Sequence, residues 1–251
     1  MPQCAREARA VSGRLFGVGT GPGDPELLTL KAARAIAEAD VVAWFAKRGN
    51  ASNARAIAAA HFREGQIEEA LDYPVTTEIH RHSPDYRDQI QHFYAEAAQR
   101  LAAHLDAGLN VAVLSEGDPL LYGSYMHLHV RLAPLYASEV IPGITAMSGC
   151  WSAAGLPLVQ GDDVLTVLPG TLDQDELVRR LGDTQGAVIM KLGRNLPKVR
   201  AALDAAGRLD GAVYVERGTM TSGSNMRLAD KTDDVAPYFS LVLVPGWSAR
   251  P

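Results

Sequence analysis

Short apolar runs alternate with stretches of helical spacing along almost the whole 251-residue chain, and this alternation restricts the fold more than any other feature. Residues 14–18, 41–45, 67–71, 109–115 and 140–141 read as strands, most of them apolar and ending at a polar or glycine-bearing loop. Between them, residues 29–39 carry Leu30, Ala33, Ile36 and Ala37 at helical spacing, and 53–60 form an alanine-rich helix. Tyr86, Ile90, Phe93, Ala97, Leu101 and Leu105 stripe one face of a longer helix that Ser83 caps and Pro84 opens. Helices over 121–132 and 145–154 complete this half. A strand that returns through a helix pairs in parallel with an earlier one, so the pattern predicts a mostly parallel sheet covered on both faces. Gly155, Pro157 and Gly161 interrupt the rhythm within 155–163, which predicts a domain boundary there. The expected division is a tail over 1–12, an α/β domain over 13–156 and a second α/β domain over 157–251. In the second, strands at 164–168, 187–192, 211–216 and 240–244 are separated by helices at 173–181 and 196–206, the first opening on a capping box of Asp173 and Glu176.

Bulk properties narrow the function classes. Hydrophobic residues at 47% and charged residues at 21% suit an ordinary globular protein, and no stretch reaches the roughly 18 apolar residues of a membrane span. The first dozen residues lack the apolar core of a secretory signal, so the cytoplasm is the expected compartment. Cys4 and Cys150 are the two cysteines; with no CxxC pair they are expected to stay reduced. A formal charge of -5 argues against nucleic-acid binding through a general basic field, but leaves room for an anionic ligand held by a local patch.

Chemistry is concentrated in loops after three strands of the first domain. Gly17-Val18-Gly19-Thr20-Gly21-Pro22-Gly23-Asp24 holds four glycines in seven residues, which demands an unusual backbone path or a close approach to a ligand. As a dinucleotide fingerprint it fails, because Pro22 occupies the place of the last glycine and brings no N–H. Ser115-Glu116-Gly117-Asp118-Pro119-Leu120-Leu121-Tyr122-Gly123-Ser124 follows the fourth strand, where Asp118 is either a ligand contact or a turn residue before Pro119. Pro142-Gly143-Ile144-Thr145-Ala146 leads from the fifth strand into a helix whose opening N–H groups and Thr145 hydroxyl can donate to a carboxylate. Three such loops at the ends of strands of one sheet suggest one pocket.

These motifs resemble the tetrapyrrole methylase superfamily, which carries a GxGPGD turn, a GDPxxYG loop and a PGIT or PGVT helix start; here they are Gly19 to Asp24 with the preceding Gly17, Gly117 to Gly123, and Pro142 to Thr145. Longer runs, residues 116–128, 140–151 and 161–168 with Trp44-Phe45-Ala46-Lys47, resemble the branch that methylates precorrin-2 at C-20. The resemblance implies the class III methyltransferase fold, two α/β domains with mixed sheets, a homodimer, S-adenosylmethionine as methyl donor bound between the domains, and a macrocycle in a trough near the glycine-rich turn. It implies donor contacts from Pro22, Gly117, Asp118, Leu121, Thr145, Ala146, Leu192 and Gly218, with Gly19, Gly21, Gly23 and Asp24 shaping the macrocycle's entrance.

A reduced tetrapyrrole is rimmed with carboxylates, so cations should meet it; Lys47, Arg48, Lys191, Arg194 and Arg217 all fall at or just after predicted strand ends, with His80-Arg81-His82 a weaker cluster. Each could equally be a solvated surface charge. Asp24, Glu116 and Tyr122 are candidates to remove the ring proton after transfer. His127 and His129 face different sides of a helix and lack further ligands at known spacing, so no metal is expected. The rival readings are methylation of the cobalt-loaded macrocycle, a nicotinamide oxidoreductase and a non-catalytic tetrapyrrole carrier.

Overall fold

The computed structural model describes residues 12–74 and 84–246, in two compact units that divide between Ile144 and Thr145. In the first unit, strands β1 (Leu15–Gly19), β2 (Val41–Lys47), β3 (Ile67–Tyr73), β4 (Val111–Ser115) and β5 (Ser138–Ile141) form one sheet in the order β3-β2-β4-β1-β5. Every pairing is parallel, as the alternation requires. Its helices are α1 (Leu30–Glu38), α2 (Asn53–Ala58), α3 (Pro84–Asp106) and α4 (Tyr125–Leu132). Helices α1 and α2 pack with Val18, Val42, Ala112 and Leu114 on one face of the sheet. On the other, α3 and α4 pack with Leu15, Val41, Val111 and Val113. The strands therefore bury both faces, which explains their near-continuous apolar composition.

Local departures from the sequence reading have physical causes. Leu30 is 84% exposed, and α1 instead buries Ala32, Ala35 and Ile36, because Thr29 accepts from the Ala32 N–H and so places Leu30 at the first, outward position. Helix α4 begins at Tyr125 rather than at 121, since Tyr122 takes a left-handed backbone that no helix continues through. The stripe on α3 is as expected: Phe93, Ala97, Leu101 and Leu105 are buried, joined by Tyr94 and Ala98.

The second unit comprises α5 (Ala146–Ala153), β6 (Leu165–Pro169), α6 (Gln174–Gly182), β7 (Gly186–Met190), α7 (Leu196–Ala205), β8 (Val213–Glu216), β9 (Ser224–Arg227) and β10 (Ser240–Val244). Its sheet, in the order β6-β7-β10-β8-β9, is mixed: β6 and β7 are parallel, whereas β10 runs against both β7 and β8. The division precedes the expected 155–163 boundary because Cys150 on α5, with Met147 and Trp151, packs onto Val188, Val215 and Leu243. Strand β9 was absent from the sequence reading, its Ser-Asn-Met-Arg run being exposed throughout and lacking an apolar face. The Asp173–Glu176 box does not form: Asp173 makes no side-chain cap, and Glu176 is taken by Arg179 and Arg180 at 2.8 and 2.6 Å. Among the described residues no helix is long and apolar enough to cross a membrane.

Candidate active site

Strands β1 and β4 are neighbours whose connections leave in opposite directions, β1 toward β2 and β4 toward β5, with their helices on opposite faces. The carboxyl ends of such a pair are where open α/β sheets receive ligands. Here the two loops are tied to each other. The Gly21 N–H donates to the Gly117 carbonyl at 3.3 Å, the Gly117 N–H to the Gly21 carbonyl at 2.8 Å, and Thr20 donates to the Ser115 carbonyl from both its N–H (2.8 Å) and its hydroxyl (3.2 Å). The third loop joins through Asp118: one carboxylate oxygen accepts from the Leu120 N–H at 2.9 Å, the other from the Gly143 N–H at 3.3 Å. Asp118 thus closes its own turn and ties it to the end of β5; it does not cap α4. Glycine is required at the junction, since a Cβ on Gly143 would lie 2.0 Å from the Gly117 carbonyl oxygen and 2.9 Å from the Gly19 Cα.

The remaining candidates of this unit take distinct places. Gly17 makes room for the buried ring of Tyr125, 2.2 Å from where a Cβ would stand, and burial pushes the Tyr125 phenol up to about 12. Pro22, Gly23 and Asp24 are half-buried, and Asp24 accepts from the Glu26 N–H at 2.9 Å, capping a single 3-10 turn over Pro25–Leu27. Solvent reaches Glu116, yet protein atoms crowd its carboxylate and push its pKa up, against the opposing hydrogen bonds from the Asn53 side chain and the Ala54 N–H at the start of α2. Leu121 is half-buried, Tyr122 is 47% exposed, and Lys47 and Arg48 are exposed where β2 ends.

In the second unit, β6, β7 and β8 all end at one edge of the sheet, because β10 runs antiparallel to both β7 and β8. Lys191 follows β7 with φ 58°, and Arg217 follows β8 with φ 48°. With Tyr122 (φ 55°), these are the non-glycine residues in left-handed backbone among the described residues. Each conformation costs on the order of 1–3 kcal/mol, and such outliers gather at functional sites. Arg217 pairs with the Glu216 carboxylate, which also accepts from the Tyr214 hydroxyl at 3.0 Å. Arg194 is exposed on a 3-10 turn, Gly193–Asn195, whereas Leu192 is 1% exposed within the core. Thr145 accepts from the Ser148 N–H at 3.3 Å as the cap of α5; its hydroxyl proton and the half-buried Ala146 remain at the helix start. Gly218 meets α5, a Cβ there lying 2.8 Å from Cys150 Sγ, and burial pushes the Cys150 thiol up to about 11.

His127 stacks on Tyr94 with ring centroids 4.2 Å apart, and His129 Nδ1 lies 3.3 Å from the Tyr125 hydroxyl, so each has an aromatic partner. Among the described residues no group of three or more His, Cys, Asp or Glu could hold a metal ion. His80, Arg81, His82, Ser83 and Cys4 lie outside the described residues. Sequence reasoning assigned no role to Gly143 itself, although its position between Pro142 and the helix start was a signal. It also passed over Tyr73 and Tyr94, and gave Ser124, the last residue of the second loop, no role of its own; their hydroxyls meet in space from separate elements and leave no trace in spacing.

The profile of the Tetrapyrrole (Corrin/Porphyrin) Methylases matches residues 14–228. The chain belongs to this family. Within it, the chain is 66% identical to a Precorrin-2 C(20)-methyltransferase of Sinorhizobium sp, over 95% of this chain and 98% of that one. It is 28% identical to a Cobalt-precorrin-2 C(20)-methyltransferase of Salmonella typhimurium, over 93% and 97%. Among solved structures, the Uroporphyrin-III C-methyl transferase of Thermus thermophilus complexed with S-adenyl homocysteine superposes with a TM-score of 0.62 at 23% identity, over 92% of this chain and 96% of that one. The methylase fold accounts for two α/β units, one with a mixed sheet, in place of a Rossmann pair.

Proposed function

We propose that this methylase transfers a methyl group from S-adenosylmethionine to C-20 of precorrin-2, giving precorrin-3A in cobalamin biosynthesis. The observation that carries the reading is the near-full-length likeness to the Sinorhizobium enzyme, far closer than the likeness to the cobalt-using relative. It favours the metal-free macrocycle over its cobalt-loaded counterpart, and needs no metal of the protein's own. A homodimer working in the cytoplasm completes the proposal.

The chemistry asks little covalent help. The enamine-like meso carbon of a reduced tetrapyrrole attacks the sulfonium methyl; the new C–C bond forms as the S–CH3 bond breaks, sulfur keeps the electron pair, and the ring later gives up a proton. The protein's contribution is alignment, holding the methyl about 3–3.5 Å from the carbon, together with exclusion of water. The tied loops of the first sheet are suited to this task, because their backbone groups are fixed by one another before a ligand arrives. We assign donor contacts to Pro22, Gly117, Asp118, Leu121, Thr145, Ala146, Leu192 and Gly218. Gly19, Gly21, Gly23, Lys47, Arg48, Lys191, Arg194 and Arg217 meet the macrocycle. Asp24 and Glu116 each accept from a backbone N–H, Tyr122 is 47% exposed, and the three stand as candidates to remove the ring proton.

Incubation with methyl-radiolabelled S-adenosylmethionine and either precorrin-2 or cobalt-precorrin-2 tests the reading. Label is expected in the tetrapyrrole, with faster turnover on the metal-free substrate. Binding of precorrin-2 without transfer would make the protein a carrier and overturn the proposal.

A further inference from the structure

Ser124 stands directly before α4, where a serine ordinarily accepts from an N–H of the helix's opening turn. It makes no such bond. Its hydroxyl instead joins the hydroxyl of Tyr73, the last residue of β3, and accepts from the hydroxyl of Tyr94 on α3 at 3.1 Å. The two tyrosines are themselves wedged in aromatic packing. Phe45 stacks on Tyr73 at 5.7 Å, Phe93 touches both at 4.9 and 5.2 Å, and His127 lies flat on Tyr94. The Ser124 side chain is therefore fixed to the sheet and to α3 by two rigid side chains, while its carbonyl, accepting from the His127 N–H at 3.1 Å, joins its own helix.

Two residues upstream is Tyr122, bulky, exposed and left-handed. Such backbone persists only where flanking contacts over-determine it. Upstream these contacts are evident: Asp118 accepts from the Leu120 N–H, and the Asp118 carbonyl from the Leu121 N–H at 3.3 Å. Downstream, Gly123 lies close under the loop, a Cβ there reaching 3.0 Å from the Pro119 carbonyl oxygen, its carbonyl accepts from the Met126 N–H at 3.4 Å, and the Ser124 side chain is held from β3 and α3.

We propose that Tyr73, Tyr94 and Ser124 are positioning residues: their hydroxyl cluster clamps the downstream end of the Asp118–Tyr122 loop and so holds Tyr122 in its left-handed conformation at the carboxyl edge of the first sheet. The inference rests on the proposed methyl transfer, since it makes the loop's geometry matter for turnover. It extends that reading by assigning work to Tyr73 and Tyr94, outside the family motifs, and to Ser124, directly after the GDPxxYG loop.

A double-mutant cycle on kcat tests it. Ser124→Ala is expected to lower kcat on precorrin-2 by about tenfold or more, the scale of a misplaced catalytic loop, with a smaller change in KM. Tyr94→Phe should act in the same direction, and Ser124→Thr, which keeps the hydroxyl, should restore most of the rate. In a Tyr122→Gly background, where a left-handed backbone needs no clamp, adding Ser124→Ala should change kcat by less than about twofold. Thermal unfolding of each variant separates loss of fold from loss of position. Equal kcat losses from Ser124→Ala with and without Tyr122→Gly, or no loss in either, would overturn the clamp while leaving the methyltransferase reading intact. Failure of the unaltered protein to methylate any tetrapyrrole would instead overturn the reading on which the clamp rests.

Discussion

The carboxyl edges of the two sheets are built from different materials. At the first, loops after β1, β4 and β5 are held backbone to backbone, through Gly21 with Gly117 and through the Asp118 carboxylate on the Gly143 N–H. At the second, the residues that stand out are side chains: Lys191 and Arg217 leave β7 and β8 in left-handed backbone, one exposed and the other paired with Glu216. The backbone-built loops of the first edge offer fixed dipoles, with Lys47 and Arg48 exposed where β2 ends on the same edge; the second edge offers side-chain cations, Arg217 among them paired with Glu216. Under the proposed reading, the tied loops of the first edge suit positioning, and the cations of both edges suit charge matching to a macrocycle rimmed with carboxylates.

Substituting glycines is the most forceful way to break this contrast. Gly143→Ala should destabilise the protein by about 3 kcal/mol in denaturant unfolding, because its Cβ would strike a carbonyl oxygen that cannot move alone. Gly218→Ala would bring a Cβ to 2.8 Å from the Cys150 Sγ and 3.0 Å from its Cα, a looser clash than the 2.0 Å at Gly143, and should cost about 1 kcal/mol. Equal losses at the two sites would remove the distinction between a tighter and a looser edge.

The cationic edge is sharpened by a smaller effect of opposite kind. Lys191→Gly and Arg217→Gly relieve left-handed strain while deleting a charge, so thermal stability should hold or rise slightly. KM for precorrin-2 should meanwhile increase by about tenfold, the loss expected for one charge-assisted contact. An unchanged KM in both variants would take these cations out of substrate binding.

The smallest effect concerns Glu116. Its carboxyl holds a proton to higher pH in the folded protein than in the unfolded chain, chiefly through desolvation, so ionisation subtracts stability as pH rises above the usual 4.5. The stability of the native protein relative to Glu116→Gln should therefore fall as pH rises through the raised pKa and level off beyond it. The opposite slope in paired thermal melts would mean that the bonds from Asn53 and Ala54 outweigh desolvation.

The first edge was far more legible in the sequence than the second. Glycine and proline after a strand are rare enough to mark each loop, and Asp-Pro, Pro-Gly and the spaced glycines survive as motifs because backbone packing tolerates no substitute. What the sequence could not give was the reason, since ligand approach and loop-on-loop contact demand the same residue. Asp118 shows this: its carboxylate ties a turn to β5, a partnership across 25 residues that no spacing reveals. At the second edge, Lys191 and Arg217 were legible only as charges at strand ends; their left-handed backbone depends on tertiary packing. Strand β9 escaped for a related reason, as an exposed polar run becomes a strand only because β8 lies beside it.

The most direct test of the central claim is the position of the transferred methyl. With S-adenosylmethionine carrying a 13C methyl and precorrin-2 as acceptor, NMR of the isolated product should show the enriched methyl on C-20 and nowhere else on the macrocycle. Enrichment at another carbon, or an unlabelled macrocycle, would contradict the account.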